Sequence, residues 1–75
     1  MKIYVTFGQE HAHANAFSGK TLDKDSVAEI ECESQEDGRA KAFELFGDKF
    51  FTHYLEEDIR ESFMKYFPRG IIKVN

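Results

Sequence analysis

Ile3, Val5 and Phe7 alternate with Tyr4 and Thr6 over residues 2–7, the period of two that sends successive side chains to opposite faces of a strand. The pattern predicts a strand covered on one or both faces. A stricter alternation follows over 28–33, where Ala28, Ile30 and Cys32 share one face and Glu29, Glu31 and Glu33 the other, so this strand is expected to be half buried. From Ser34 the period changes to that of a helix. The Ser34 hydroxyl can accept an orphan backbone N–H, the acids Glu36 and Asp37 suit the positive helix end, and Gly47 supplies a residue able to take a positive φ. Ala40, Ala42, Phe43, Leu45 and Phe46 form the expected buried arc. Residues 49–55, rich in aromatic side chains, predict a third long strand, and residues 71–74 a short final one. Between them Ile59, Phe63, Tyr66 and Phe67 fall at i, i+4, i+7 and i+8 behind Glu56, Glu57 and Asp58. That spacing predicts a second helix, ended by Pro68 because a proline disfavours the α conformation at the residue before it.

The resulting order, β-β-α-β-α-β, predicts a single α+β domain over residues 1–75. Connection rules favour a mostly antiparallel sheet, the first two strands pairing across a long loop and the third lying on the other side of the first, in the order 2-1-3 with the short last strand at an edge. One face of that sheet carries the helix that begins at Ser34. Residues 9–25 show no period and are expected to be a loop. Ile3, Val5, Phe7, Ile30, Phe43, Phe46, Phe63 and Phe67 make up the expected core.

Composition narrows the class. With 75 residues the chain buries only about 60% of the surface its unfolded form exposes, and eight Phe and three Tyr compensate with large apolar area per residue. A single cysteine, Cys32, closes no internal disulfide, and nothing approaches the roughly 20 apolar residues of a membrane span. Met1 leads directly into the alternating pattern without the apolar stretch of a signal segment, so a cytoplasmic, membrane-free protein is expected. Fourteen acids against ten bases, a net charge of −4, argue against nucleic-acid binding and favour a basic protein partner.

Five constellations carry possible chemistry. His11 and His13 have an H-x-H spacing that puts both imidazoles on one side of an extended segment, and Glu10, Asp23 or His53 would have to complete a zinc site. Without a third local ligand, exposed polar histidines are the simpler expectation, and no metal or other cofactor is called for. Cys32 lies on the apolar face of its strand, where a thiol behaves as a small hydrophobe rather than a nucleophile. Arg39 sits in the first helical turn on the same arc as Phe43 and Phe46. Its stem can pack on the sheet while its head group reaches solvent or an acid; the sharper reading is that Arg39, with Gln9, His11 and the loop to His13, holds a small anionic ligand. Lys65, Arg69 and Lys73 form a basic cluster that Glu56, Glu57 and Asp58 are expected to balance. Finally Glu29, Glu31 and Glu33, spaced by roughly 6.6 Å, form an acidic row continued by Glu36 and Asp37. Such a row is either a solvated face that protects a sheet edge or a docking surface for a protein that ordinarily binds nucleic acid.

Tyr4-Val5-Thr6-Phe7-Gly8-Gln9 with His11 close behind, Arg39-Ala40 in a helix ending Phe46-Gly47, Tyr54 with Glu56-Glu57, and Phe67-Pro68-Arg69-Gly70 together resemble a group of short bacteriophage and prophage proteins of unassigned activity. The resemblance implies a setting, the cytoplasm of an infected or lysogenic host, and no catalytic residues. Small phage proteins of this kind commonly inhibit or sequester host machinery, anti-CRISPR proteins among them. The expectation is therefore a non-enzymatic inhibitor of a host defence protein that binds a basic surface through Glu29, Glu31, Glu33, Glu36 and Asp37. A small-ligand binder using Gln9, His11 and Arg39 is the alternative, and a metal-dependent enzyme the third.

Overall fold

The computed structural model describes residues 1–14, 17 and 19–75. Its centre is β1 (Lys2–Thr6), in which Ile3, Tyr4, Val5 and Thr6 are all buried, so both faces of this strand are covered. On one side β1 pairs antiparallel with β4 (Ser26–Glu31), Ile3 opposite Ile30 and Tyr4 opposite Glu29. On the other it pairs antiparallel with β5 (Thr52–Leu55), Tyr4 opposite Tyr54. The last strand, β6 (Gly70–Lys73), runs parallel to β4, giving a mixed, mostly antiparallel sheet in the order β5-β1-β4-β6. A short antiparallel ribbon of β2 (His13–Ala14) and β3 (Thr21–Leu22) lies within the stretch expected to be loop.

The helix α1 (Gln35–Phe46) covers one sheet face and is bounded as its sequence predicts. Ser34 Oγ accepts the Asp37 N–H at 3.0 Å, and Gly47, at φ 64°, donates its N–H to the Phe43 carbonyl at 2.8 Å. Its buried stripe differs from the expected arc: Gly38, Ala42 and Phe46 face the sheet, whereas Phe43 is 45% exposed and Ala40 and Leu45 are exposed as well. The stripe is hard to see in the sequence because its first member has no side chain and its second is a methyl group. A Cβ added at Gly38 would lie 2.8 Å from Ile3 Cγ1 and 2.9 Å from Cys32 Sγ, so this glycine is what lets the helix settle onto β1 and β4. Between helix and sheet sits a core of Ile3, Val5, Phe7, Leu22, Ala28, Ile30, Cys32, Ala42, Phe46, Ile72 and Val74. Phe7 is completely buried, edge-on to Phe46 at 5.0 Å. Cys32 belongs to this core, as its place in the alternation predicts.

Strand and helix bounds shift for local reasons. β4 begins at Ser26 rather than Ala28 because a tight turn ends there: the Ser26 hydroxyl accepts the Asp23 N–H, and Asp23 Oδ1 accepts the Asp25 N–H. β5 starts only at Thr52, since Lys49 N–H still completes the helix C-terminus by donating to the Phe46 carbonyl. The second helix shrinks most. Leu55 N–H donates to the Asp58 carboxylate, folding residues 56–58 into a 3₁₀ turn, Ile59 is extended, and α2 spans only Glu61–Met64. Phe63 and Phe67 are half buried against the sheet face opposite α1, with Phe63 edge-on to Tyr54 at 4.8 Å, while Tyr66 projects outward.

Candidate functional site

Because β1 runs antiparallel to both β4 and β5, its first residues stand beside the last residues of its neighbours. That topology brings Glu31, Glu33, Glu36, Asp37, Glu56, Glu57 and Asp58 to one end of the sheet, around Met1 and the start of α1. Among the described residues, no ion pair engages Glu31, Glu33, Glu36, Glu56, Glu57 or Asp58, and all six are exposed. Beside them Tyr4 has its phenol pKa held above the ordinary tyrosine value, by burial first and then by Glu29, with Glu56 and Glu31 adding less.

The acidic surface is therefore an end of the sheet and not a row along β4. Glu29 leaves the set, since its side chain is only 12% exposed, its carboxylate is met by Lys2 and by Lys73, each at 3.7 Å, and its Oε1 accepts the Tyr4 hydroxyl. Glu56, Glu57 and Asp58, expected to offset Lys65, Arg69 and Lys73, join the acidic end instead. Arg69 pairs with Asp23 at 3.8 Å and Lys73 with Glu29, so the basic cluster disperses.

Asp37 is half exposed and structural. Its carboxylate accepts the Glu33 N–H at 2.9 Å and pairs with Lys41 at 3.2 Å, and these two contacts, the first being the larger, hold its pKa below an ordinary aspartate's. A depressed carboxylate pKa adds stability above the unfolded-state value and loses it as pH falls through the folded one. Melting temperatures of wild type and Asp37→Asn are thus expected to differ at neutral pH and to converge in acid below an ordinary aspartate's 3.8; a gap that persists in acid would remove the ionised carboxylate from that role.

The Gln9, His11 and Arg39 set is not assembled. Arg39 reaches toward β5, its Nη1 3.2 Å from His53 Nδ1 and its guanidinium 5.3 Å from the Phe43 ring centroid. Gln9 and His11 line a separate shallow hollow with Phe7, Gly8, Glu10 and Phe51. His13 packs on Phe7 and Phe46 and places Nε2 2.7 Å from the Lys49 carbonyl, so the loop histidines do not converge. Among the described residues, no three His, Cys, Asp or Glu side chains are grouped to hold a metal ion.

One concavity was not legible in the sequence. On the sheet face opposite α1, Thr6, Gly8, Gln9, Lys24, Asp25, Phe51, Tyr54, Tyr66 and Phe67 enclose a cleft of about 330 Å³. Its members come from β1, the loop after it, the turn before β4, β5 and the segment after α2, and no local pattern connects them. No family model matches the chain, and neither a curated protein nor a solved structure is significantly similar to it. Among the described residues, no helix is long and apolar enough to cross a membrane.

Proposed function

We propose that this chain is a non-enzymatic binding protein of bacteriophage type, which inhibits a host protein in the host cytoplasm by docking its acidic end on a basic surface. The phage setting rests on the sequence resemblance. The observation that carries the docking mode is the gathering, at one end of the sheet, of six exposed carboxylates from β4, the link after it, α1 and the 3₁₀ turn, none of them in an ion pair among the described residues. Clustered charge of one sign steers a complementary partner and speeds encounter by about tenfold or more at low salt. A fold of this kind hosts many activities, so the reading stands on that surface alone.

The test uses two charge-neutralised variants, one with Glu31, Glu33 and Glu36 changed to Gln and one with Glu56→Gln, Glu57→Gln and Asp58→Asn. Each is expected to remain folded. A host protein captured by the wild type is expected to associate about tenfold more slowly with either variant, and the wild-type rate is expected to fall as salt rises toward physiological strength. Unchanged rates in both variants across salt concentrations would overturn the acidic docking mode.

A further inference from the structure

From its size, walls and polar groups, we infer that the cleft opposite α1 is a binding site for the planar base of a nucleoside or nucleotide. Its volume, about 330 Å³, lies at the small-ligand end of protein binding sites. Two of its walls are aromatic rings held largely in water: Phe51 is 71% and Tyr66 76% exposed. A third, Tyr54, is half buried and fixed by its edge-on contact with Phe63. Aromatic faces around one concavity suit a flat π system, which stacks on them whatever its substituents.

The polar groups select among flat ligands. Thr6, 4% exposed, lines the cleft, and its Oγ1 is buried with no hydrogen-bond partner among the described residues. A buried hydroxyl left unpaired is uncommon in native proteins, and a base edge, which carries both donors and acceptors, would satisfy it once the Thr6 side chain turns toward the cleft. A purely hydrocarbon ring would not. Gln9 adds an amide of the same dual character. Lys24, whose exposed ammonium lies 3.3 Å from the half-buried Asp25 carboxylate, offers the cation that a phosphate attached to the base would have to draw away from that carboxylate. The net charge of −4 opposes a long phosphate backbone and leaves a mononucleotide as the better fit. This site is separate from the acidic end and does not depend on the docking mode proposed for it.

Titration of the intact protein with adenosine, with AMP and with a ten-residue single-stranded oligothymidylate, followed by amide chemical shifts, tests the inference. Saturable shifts are expected at Thr6, Phe51, Tyr54 and Tyr66, and AMP is expected to bind more tightly than adenosine. Phe51→Ala and Tyr66→Ala, both at exposed positions that leave folding intact, are each expected to weaken AMP about tenfold. Thr6→Val keeps the side-chain shape and removes the unpaired hydroxyl, so it is expected to melt no lower than the wild type and yet bind more weakly. Lys24→Ala is expected to abolish the preference for AMP over adenosine. An oligothymidylate that binds where AMP does not would reassign the base to a single strand and overturn the mononucleotide assignment. No saturable shift with any of the three probes, or AMP binding that survives both aromatic replacements, would overturn the site itself. Neutralising the acidic end is expected to leave AMP affinity no weaker, so failure of one proposal is distinguishable from failure of the other.

Discussion

Phe7→Ala is expected to destabilise the chain by about 3–5 kcal/mol, a large share of the stability of a domain this small. Phe7 is completely buried where the end of β1 meets the last turn of α1, edge-on to Phe46 at 5.0 Å and tilted against His13 at 5.5 Å. Truncation removes the transfer energy of the ring and leaves a cavity that Phe46, a core residue itself, is poorly placed to fill. Phe43→Ala provides the internal comparison. Its ring is 45% exposed and touches Phe50 and Arg39, so its loss is expected to cost about 1 kcal/mol. Urea unfolding of both variants measures the difference, and equal losses would show that α1 is rotated about its axis from the stripe described.

That comparison also shows how far the sequence could be read. The α+β class, the start and stop of α1, the alternation of β1 and the core place of Cys32 follow from local chemistry: a hydroxyl cap, a glycine after the last turn, and a period of two. Hydrophobicity alone puts Phe43 in the buried stripe, while the geometry assigns it to Gly38 and Ala42, residues that bring the helix close rather than fill space. The second helix is shorter than its spacing predicts because Asp58 returns to cap Leu55 N–H and breaks the period at Ile59. For the candidate surfaces, single residues were legible and their company was not. Glu31, Glu33 and Glu36 are exposed as expected, but Glu29 is taken by two lysines that lie far from it in sequence. Thr6 reads as the polar half of an alternating strand; only tertiary packing reveals that its hydroxyl is buried with no partner among the described residues.

Gly38→Ala is expected to destabilise by up to about 2 kcal/mol, against the usual direction of this substitution in a helix. In a helix interior free of tertiary contacts, alanine is favoured over glycine by about 1 kcal/mol. Here the new methyl would approach Ile3 Cγ1 at 2.8 Å, Cys32 Sγ at 2.9 Å and Ile3 Cδ1 at 2.9 Å. Ile3 is completely buried on the central strand and cannot swing into solvent, so the helix must lift from the sheet, an overpacking cost of about 1–3 kcal/mol that outweighs the propensity gain. Gly38→Leu is expected to cost more than Gly38→Ala. Adding Ile3→Val to Gly38→Ala removes one of the three close contacts and is expected to recover part of the loss, which a double-mutant cycle on thermal unfolding would register as favourable coupling. A Gly38→Ala variant more stable than wild type would mean that the helix stands further from β1 than described.

The pairing of β1 with strands far along the chain has a kinetic consequence. Neither neighbour of β1 is joined to it by a tight hairpin: β4 follows only after the β2 and β3 ribbon, and β5 only after α1. The sheet therefore assembles by closing long loops, each paid for in chain entropy before any side chain is packed. α1, with its own caps, can form early from local contacts. Refolding is expected on a scale of milliseconds or slower, as for other small domains dominated by non-local pairing. Until β6 seats itself against β4, that strand presents an unpaired edge, so the interval before the last strand docks is when association between partly folded copies is most favoured.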